Sequence, residues 1–198
     1  MTLPAPAGPE LTVLHLPLED PRVQPLVQGL TQEYDHRYGS IFGGASQEML
    51  RYPAEEFAAP HGALLIIQEG GESVAGGAFR RYDEQTAEFK RIWTHPGHRR
   101  RGLARLVLAE LEAEAGRRGY RRIYLTTGPR QPEAKNLYLA TGYSPGFDLG
   151  ADPEVIKHLV FTKEISADVS WQRTVPAALH NGGGAAASTN GKDYSPCP

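Results

Sequence analysis

The chain has 198 residues and a formal charge of −2, from 21 lysines and arginines against 23 aspartates and glutamates. This balance disfavours both a strongly basic nucleic-acid-binding protein and an acidic disordered chain. The single cysteine, Cys197, excludes a disulfide within the chain, and no apolar run approaches the roughly 20 residues that span a bilayer. Residues 1–10 lack the basic and apolar regions of a signal peptide. We therefore expect a soluble, cytoplasmic protein that does not bind a membrane.

The near-neutral total conceals a segregation of charge. From Lys90 to Arg122, ten basic residues oppose three glutamates, which gives this segment a net charge of +7. The rest of the chain has eleven basic and twenty acidic residues, a net charge of −9. Such clustering indicates a local site for an anionic ligand.

Apolar periodicity predicts strand, helix, helix and three strands in the first part of the chain. The first helix has apolar residues three and four positions apart and ends at Gly39. The second, with Ser46 as its N-cap, is broken or restarted at Pro53. Short turns between the three strands favour an antiparallel meander. The predicted ranges are 11–16, 20–38, 46–57, 63–67, 73–81 and 86–94.

The second part of the chain alternates helices and strands and then loses its pattern. A helix over 103–115 is closed by Gly119, and one over 132–140 is closed by Gly142. Strands are predicted at 123–127 and 159–165. We expect one domain over residues 1–165 and a Gly/Ala/Ser-rich tail over 166–198, in which Trp171 is the only large anchor before the low-complexity stretch.

The stretch from Arg91 to Ala104 carries the strongest chemical signal. A strand ends there, a loop rich in arginine and glycine follows, and a helix begins. The first amides of a helix have no partner within it, and its dipole adds positive charge. Gly102 and Ala104 allow a ligand to approach these amides, so the pattern favours a pyrophosphate site. The segment matches neither a Walker loop nor a Rossmann fingerprint. The alternative interpretation of the segment is a solvated helix start that is rich in arginine and binds no ligand.

Three blocks of sequence resemble the GNAT superfamily of N-acetyltransferases. Arg99-x-x-Gly102-x-Ala104 resembles its acetyl-CoA pyrophosphate loop, [QR]xxGx[GA]. Residues 87–93 resemble the fourth strand of an AExKRxxV subgroup, and residues 125–143 resemble the fifth strand and the helix after it. The resemblance covers about residues 10–165.

The resemblance implies a mixed α/β sheet of six or seven mostly antiparallel strands, flanked by four helices, whose fourth and fifth strands splay apart. It implies acetyl-CoA as co-substrate, with the pantetheine against the fourth strand and the pyrophosphate on the loop. The residues that it assigns to acetyl-CoA are Ile92, Trp93, Thr94, Arg99, Arg100, Arg101, Gly102, Leu103, Ala104, Arg105, Gln131 and Ala134.

Two catalytic residues are expected. By resemblance, Tyr138 lies near the CoA sulfur and protonates the leaving thiolate, although a tyrosine at this helical spacing is often simply a core residue. Glu88 is the first candidate for the base and Glu33 the second. Strand alternation places Glu88, Lys90 and Ile92 on one face, which leaves open that Glu88 only pairs with Lys90. The oxyanion donor would be a backbone N–H near Ile92.

The acceptor site is expected on the first helix and the strand ends. Arg37 on that helix could hold a substrate carboxylate. The alternative is that Arg37 and its neighbours on the same helix face form an ordinary surface that binds no substrate. Gln131 stands where many relatives have asparagine, although this subgroup tends towards glutamine. Thr126 stands where many relatives have glutamate, and residues 144–150 differ from the usual subgroup sequence, so the acceptor is left open. The candidate substrate residues are Glu33, Tyr34, Arg37, Tyr38 and Arg80.

These features together predict an N-acetyltransferase that moves an acetyl group from acetyl-CoA to the primary amine of a small molecule in a ternary complex. The alternatives are a non-catalytic acyl-CoA-binding scaffold and a protein N-terminal or lysine acetyltransferase. Binding of nucleic acid is disfavoured, because the arginines lack interleaved aromatic residues. The seven histidines show no metal-ligand spacing, so no metal is expected. Exposed strand edges and the tail leave a homodimer open.

Overall fold

The computed structural model describes residues 10–39 and 51–165, and within them seven strands form one mixed sheet accompanied by four α-helices. The strands are β1 (Leu11–His15), β2 (Ala63–Glu69), β3 (Glu72–Arg81), β4 (Thr86–Thr94), β5 (Arg122–Thr127), β6 (Ser144–Pro145) and β7 (Leu159–Glu164). The helices are α1 (Gln24–Tyr38), α2 (Leu103–Arg117), α3 (Pro132–Ala140) and α4 (Pro153–Ile156).

The sheet order β1-β2-β3-β4-β5-β7-β6 confirms the predicted mixed α/β fold. Strands β1 to β4 are antiparallel neighbours in sequence, so the predicted meander is present. Strands β4 and β5 are parallel, and their ladder runs only from Thr86–Arg122 to Phe89–Leu125. Both strands continue beyond that point, so a gap opens between their carboxyl ends.

A β-bulge in β4 changes the face of the residues that border this gap. Arg91 and Ile92 lie opposite the single residue Gly77 of β3, and Arg91 has a φ of 60°, which is uncommon outside glycine. Because of the extra residue, Ile92 packs towards α2 and Trp93 towards α1. The predicted alternation, which placed Ile92 on the face of Glu88, is therefore wrong beyond the bulge.

The sheet is packed on both faces, and this fixes the walls of the gap. One face buries large residues such as Phe79, Phe89 and Phe161 beneath α2 and α3. The other buries Leu26 of α1 and Trp93 of β4 together. Burial of such side chains contributes about 1.5–3 kcal/mol each to stability. The ends of β4, β5 and these helices are thus held rigidly around one opening.

The first two predicted helices differ from the structure, whereas those predicted to begin at 103 and 132 begin there. The predicted 20–38 helix begins as a 3-10 turn at Pro21–Val23, where the Asp20 carboxylate accepts a hydrogen bond from the Arg22 amide at 2.9 Å. Of the predicted 46–57 helix, residues 46–50 lie outside the described residues. Residues 51–53 are not helical, and Ala54–Phe57 form one 3-10 turn after Pro53.

Two elements were not predicted. Strand β6 has two residues and α4 a single turn, so neither produces a hydrophobic period. The predicted tail, 166–198, and residues 1–9 lie outside the described residues. Over the described part of the chain, none of the helices combines the length and the hydropathy needed to cross a membrane.

Candidate active site

A cavity of about 380 Å³, called the larger cavity here, lies at the gap between β4 and β5, beside the first turn of α2. It contains most of the residues that the sequence assigned to acetyl-CoA. Residues from β4, the loop after it, α2, α3 and α1 line it: Leu30, Glu33, Ile92, Trp93, Thr94, Arg99, Arg100, Gly102, Leu103, Ala104, Arg105, Gln131, Glu133, Ala134, Leu137 and Tyr138.

The first turn of α2 presents backbone donors to the larger cavity. Gly102 is the N-cap with a φ of 82°, a conformation that favours glycine, and no side chain caps the helix. The first helical hydrogen bond runs from the Leu106 amide to the Gly102 carbonyl at 3.1 Å. The amides of Leu103, Ala104 and Arg105 therefore have no acceptor within the helix and are suited to an anion.

Two arginines supply positive charge at the same point. Arg100 and Arg105 line the larger cavity, and neither forms an ion pair with any of the described residues. Arg99 crosses the opening to pair with Glu33 on α1 at 2.7 Å. Arg101, expected at the cofactor, does not line the cavity and instead pairs with Glu69 of β2 at 2.5 Å. Arg101 thus anchors the loop to the sheet.

Backbone and side-chain groups of β4 complete a fit for the pantetheine arm. Beyond Phe89, β4 no longer pairs with β5, so its backbone groups on that edge face the gap. The Thr94 hydroxyl is buried in the cavity wall and has no hydrogen-bond partner in the described part of the chain. A buried hydroxyl in this situation suits an amide ligand. Together with Arg100 and Arg105, these groups fit acetyl-CoA.

A second cavity of about 90 Å³, the smaller cavity, adjoins the larger one. The two share lining residues from α1, β4 and α3, namely Leu30, Ile92, Gln131, Ala134 and Tyr138. The smaller cavity adds aromatic, cationic and hydroxyl-bearing residues, namely Tyr34, Tyr52, Phe57, Phe89, Lys90, Arg91, Thr126 and Thr127.

Tyr138 stands at the junction of the two cavities. Tyr138 is 5% exposed. The centroid of its ring lies 5.3 Å from that of Phe161 and 5.7 Å from that of Tyr143. Burial, with a smaller contribution from Tyr34, raises the pKa of the Tyr138 phenol far above its ordinary value. The hydroxyl therefore keeps its proton at neutral pH.

The raised pKa of Tyr138 predicts a loss of stability in alkali. The unfolded chain releases this proton near pH 10 while the folded chain retains it, so the contribution is complete below pH 10 and is lost as the pH rises. The slope is about 1.4 kcal/mol per pH unit for one such group. Urea unfolding between pH 9 and 11.5 should show a smaller decline for Tyr138→Phe than for the native chain. An equal decline would contradict the buried phenol.

Glu88, the first candidate for the base, lines neither cavity. It is 4% exposed, and its two carboxylate oxygens pair with Arg80 at 2.7 Å and Lys90 at 2.9 Å. Arg80, expected at the substrate, also lines neither cavity and bridges Glu88 to Glu56 at 2.7 Å. Because both of its carboxylate oxygens are engaged by these cations, Glu88 is placed to hold Lys90 rather than to accept a proton from an amine.

The four α1 candidates divide between the cavities and the scaffold. Glu33 lines the larger cavity and Tyr34 the smaller. Arg37 lines neither, because it pairs with Glu33 at 3.0 Å and also donates to Glu133. The expected carboxylate-binding role of Arg37 is therefore not supported by its position.

Tyr38 is a structural residue. Its buried hydroxyl accepts the Arg130 amide at 3.1 Å and ties α1 to the turn before α3. Gly128 makes this possible, because a Cβ there would lie 2.1 Å from the Tyr38 hydroxyl oxygen. Gln131 stabilises the same turn by accepting the Thr127 hydroxyl at 2.8 Å and the Gly128 amide at 3.1 Å.

Several lining residues were not among the predicted site residues. Lys90 and Arg91 lie within the segment that resembles the fourth strand, so this motif was the available signal. Tyr52 and Phe57 come from the segment after α1. No sequence pattern marked them as site residues, because only folding brings them to β4. The described residues contain no cluster of three or more metal-ligating side chains.

The remaining arginines of the basic segment are largely neutralised by carboxylates. Arg117 and Arg118 pair with Glu114 at 2.6 and 2.7 Å, and Arg122 pairs with Glu164 at 2.6 Å. Most of the +7 segment therefore does not present a continuous basic surface. Arg100 and Arg105, beside the amides of α2, line the larger cavity and have no ion pair with a described residue.

Comparisons with known proteins agree with this geometry. Residues 27–143 match the Acetyltransferase (GNAT) family. The uncharacterized N-acetyltransferase YsnE of Bacillus subtilis (strain 168) is 33% identical over 107 residues, which cover 52% of this chain and 71% of that protein.

Two solved structures share the fold. A GNAT-family acetyltransferase of Staphylococcus aureus Mu50 has a TM-score of 0.64 at 11% identity and covers 79% of this chain and 99% of its own. The PaiA N-acetyltransferase of Thermoplasma acidophilum, in complex with coenzyme A, has a TM-score of 0.62 at 13% identity, with coverage of 79% and 99%. The family match, the YsnE relative and the cavity at the splayed strands lead to one conclusion: the chain belongs to the GNAT family of acetyltransferases.

Proposed function

We propose that this GNAT acetyltransferase transfers an acetyl group from acetyl-CoA to the primary amine of a small molecule, by direct attack in a ternary complex. The observation that carries the proposal is the meeting of two cavities at one buried tyrosine. The larger cavity fits the co-substrate, the smaller accommodates a compact acceptor, and Tyr138 borders both. Both substrates can therefore be held at once, without a covalent intermediate on the protein.

Binding and positioning are assigned to separate groups. The amides of Leu103 to Arg105, with Arg100 and Arg105, hold the pyrophosphate. The open edge of β4 and the Thr94 hydroxyl hold the pantetheine arm, which brings the thioester towards Tyr138. Acetyl-CoA supplies an activated acetyl group.

The chemistry of the protein is proton transfer and charge stabilisation. As the acceptor nitrogen bonds to the acetyl carbon, a backbone N–H of β4 near Ile92 stabilises the developing oxyanion. As the carbon–sulfur bond breaks, Tyr138 donates its proton to the thiolate. The amine proton leaves to water, since Glu88 is engaged with Arg80 and Lys90.

A thiol-release assay with acetyl-CoA over a panel of small amines tests the proposal. We expect release only when an amine is present, together with an upward shift of the melting temperature on addition of acetyl-CoA. Binding of acetyl-CoA without release for any amine would instead support a non-catalytic scaffold. An unchanged melting temperature would count against the co-substrate itself. A cytoplasmic location and a homodimer remain predictions from the sequence.

A further inference from the structure

One ion pair joins two walls of the larger cavity. Arg99, on the loop after β4, pairs with Glu33 of α1 at 2.7 Å, and both residues line the cavity. The Arg99 side chain is 46% exposed, whereas Tyr138 and Trp93 in the same cavity are buried. The ion pair therefore lies at the solvent edge of the cavity, across the opening, and not at the buried floor.

Glu33 is the fixed partner in this ion pair. Its second carboxylate oxygen pairs with Arg37 at 3.0 Å, and its side chain is only 20% exposed. Arg37 in turn donates to the Glu133 carboxylate in the first turn of α3 and to the Arg130 carbonyl just before that helix. Arg130 donates back to the Arg37 carbonyl at 2.9 Å. The Glu33 carboxylate is thus held on a helix that is itself tied to α3.

Arg99 is the partner that can move. The loop that carries it is anchored two residues later, where Arg101 pairs with Glu69 at 2.5 Å. Within the described ranges, Glu33 is the one carboxylate that forms an ion pair with Arg99. Exposed side chains change rotamer in picoseconds to nanoseconds, so rotation of the Arg99 side chain alone can break the pair while the backbone stays in place. The broken and formed states of the pair are therefore in rapid equilibrium.

The formed pair leaves Arg99 able to contact a bound phosphate. A guanidinium group has five N–H donors, and Glu33 accepts from one Nη nitrogen of Arg99. Repulsion between the Glu33 carboxylate and a phosphate is reduced, because its two oxygens already face the cations Arg37 and Arg99. The pair can therefore form again over a bound ligand, so breaking it affects the rates of entry and exit more than the final affinity.

We propose that the Arg99–Glu33 ion pair is a gate, which opens for the entry of acetyl-CoA and closes over the bound molecule. A partly exposed ion pair shifts an equilibrium by up to about fivefold. The open form is then a minority of about one molecule in six, and the rate of entry is reduced in proportion. The inference rests on the proposed function for the identity of the ligand.

Stopped-flow binding of CoA to the full chain tests the gate, with the fluorescence of Trp93 in the cavity wall as the signal. We expect Glu33→Gln and Arg99→Met each to raise the association rate constant by about three- to fivefold, and the dissociation rate constant by at least as much. The two variants change the charge in opposite directions. Electrostatic steering of the anionic ligand would therefore raise the association rate constant in Glu33→Gln and lower it in Arg99→Met. A rise in both variants distinguishes a gate from steering.

Arg122→Met and Glu164→Gln are the matched controls. They break an ion pair of 2.6 Å whose two residues line neither cavity, and they make the same two changes of charge. Both controls should keep the rate constants of the native chain. An association rate constant that is unchanged or lower in both Glu33→Gln and Arg99→Met, or that rises in only one of them, would overturn the gate.

The test measures binding and not turnover, so its result is separate from that of the proposed function. Binding of CoA with the expected changes in rate, but no thiol release with any amine, would refute acetyl transfer and support the gate. Native rate constants in both variants of a protein that does release thiol would refute the gate alone. A native chain that does not bind CoA would refute both proposals.

Discussion

Replacement of Tyr138 by phenylalanine should lower kcat for acetyl transfer by about 100-fold or more, while the dissociation constant for CoA changes by less than about twofold. The reason is that this phenol borders both cavities and, because burial raises its pKa, carries its proton at neutral pH. Loss of a positioned proton donor costs about 10²- to 10⁴-fold in rate. The ring remains in the variant, so the packing against Phe161 is kept.

The measurement is steady-state thiol release with calorimetry of CoA binding. Tyr143→Phe is the matched control, since it removes another buried tyrosine hydroxyl, one that donates to Glu112 at 2.9 Å and lines neither cavity. We expect the control to lower stability by about 1–3 kcal/mol and to leave kcat within about twofold. Equal effects of the two variants on kcat would show that Tyr138 acts only through packing.

The second large effect is expected at the start of α2. Arg100→Met and Arg105→Met should each weaken CoA binding by about tenfold, and the double variant by about 100-fold. Both residues line the larger cavity, and neither has an ion-pair partner in the described ranges, so each is available to the pyrophosphate. Both are exposed, so the fold should be unaffected by their replacement.

Calorimetric titration with CoA measures this effect. Arg117→Met is the control, because it removes the same charge from the same helix, at the end away from the cavity, where the residue pairs with Glu114. An equal loss of affinity in the control would mean that net charge alone attracts the ligand. A local effect at Arg100 and Arg105 would instead establish contact with the phosphates.

Features that depend on neighbours in sequence were predictable. The Arg99–Ala104 loop unites a strand end, a glycine and unbonded helix amides within a few residues, so the prediction of an anion site there follows from local geometry. The meander of β2 to β4 follows likewise from strand patterns and short turns. The fourth and fifth strands could be placed because their motifs resemble those of the family now matched.

The acceptor side could not be predicted in the same way. The smaller cavity combines Tyr34, Tyr52, Lys90 and Thr126 from four separate segments, and no local pattern specifies that juxtaposition. The bulge at Arg91 depends on the pairing with β3 and turns Ile92 to the other face. The alternation of side chains along a single strand does not reveal the extra residue of a bulge.

The charged residues also divide into features that the local sequence predicts and contacts that depend on the fold. Sequence patterns were sufficient to predict the fold class, the family resemblance and an anion site at the start of α2. The folded chain then shows which ion pairs form: Glu33 pairs with Arg99, Glu69 with Arg101, and Glu88 with Arg80 and Lys90. Because ion pairs form between groups distant in sequence, a count of charges identifies a basic segment, while the fold selects which of its cations remain available to a ligand.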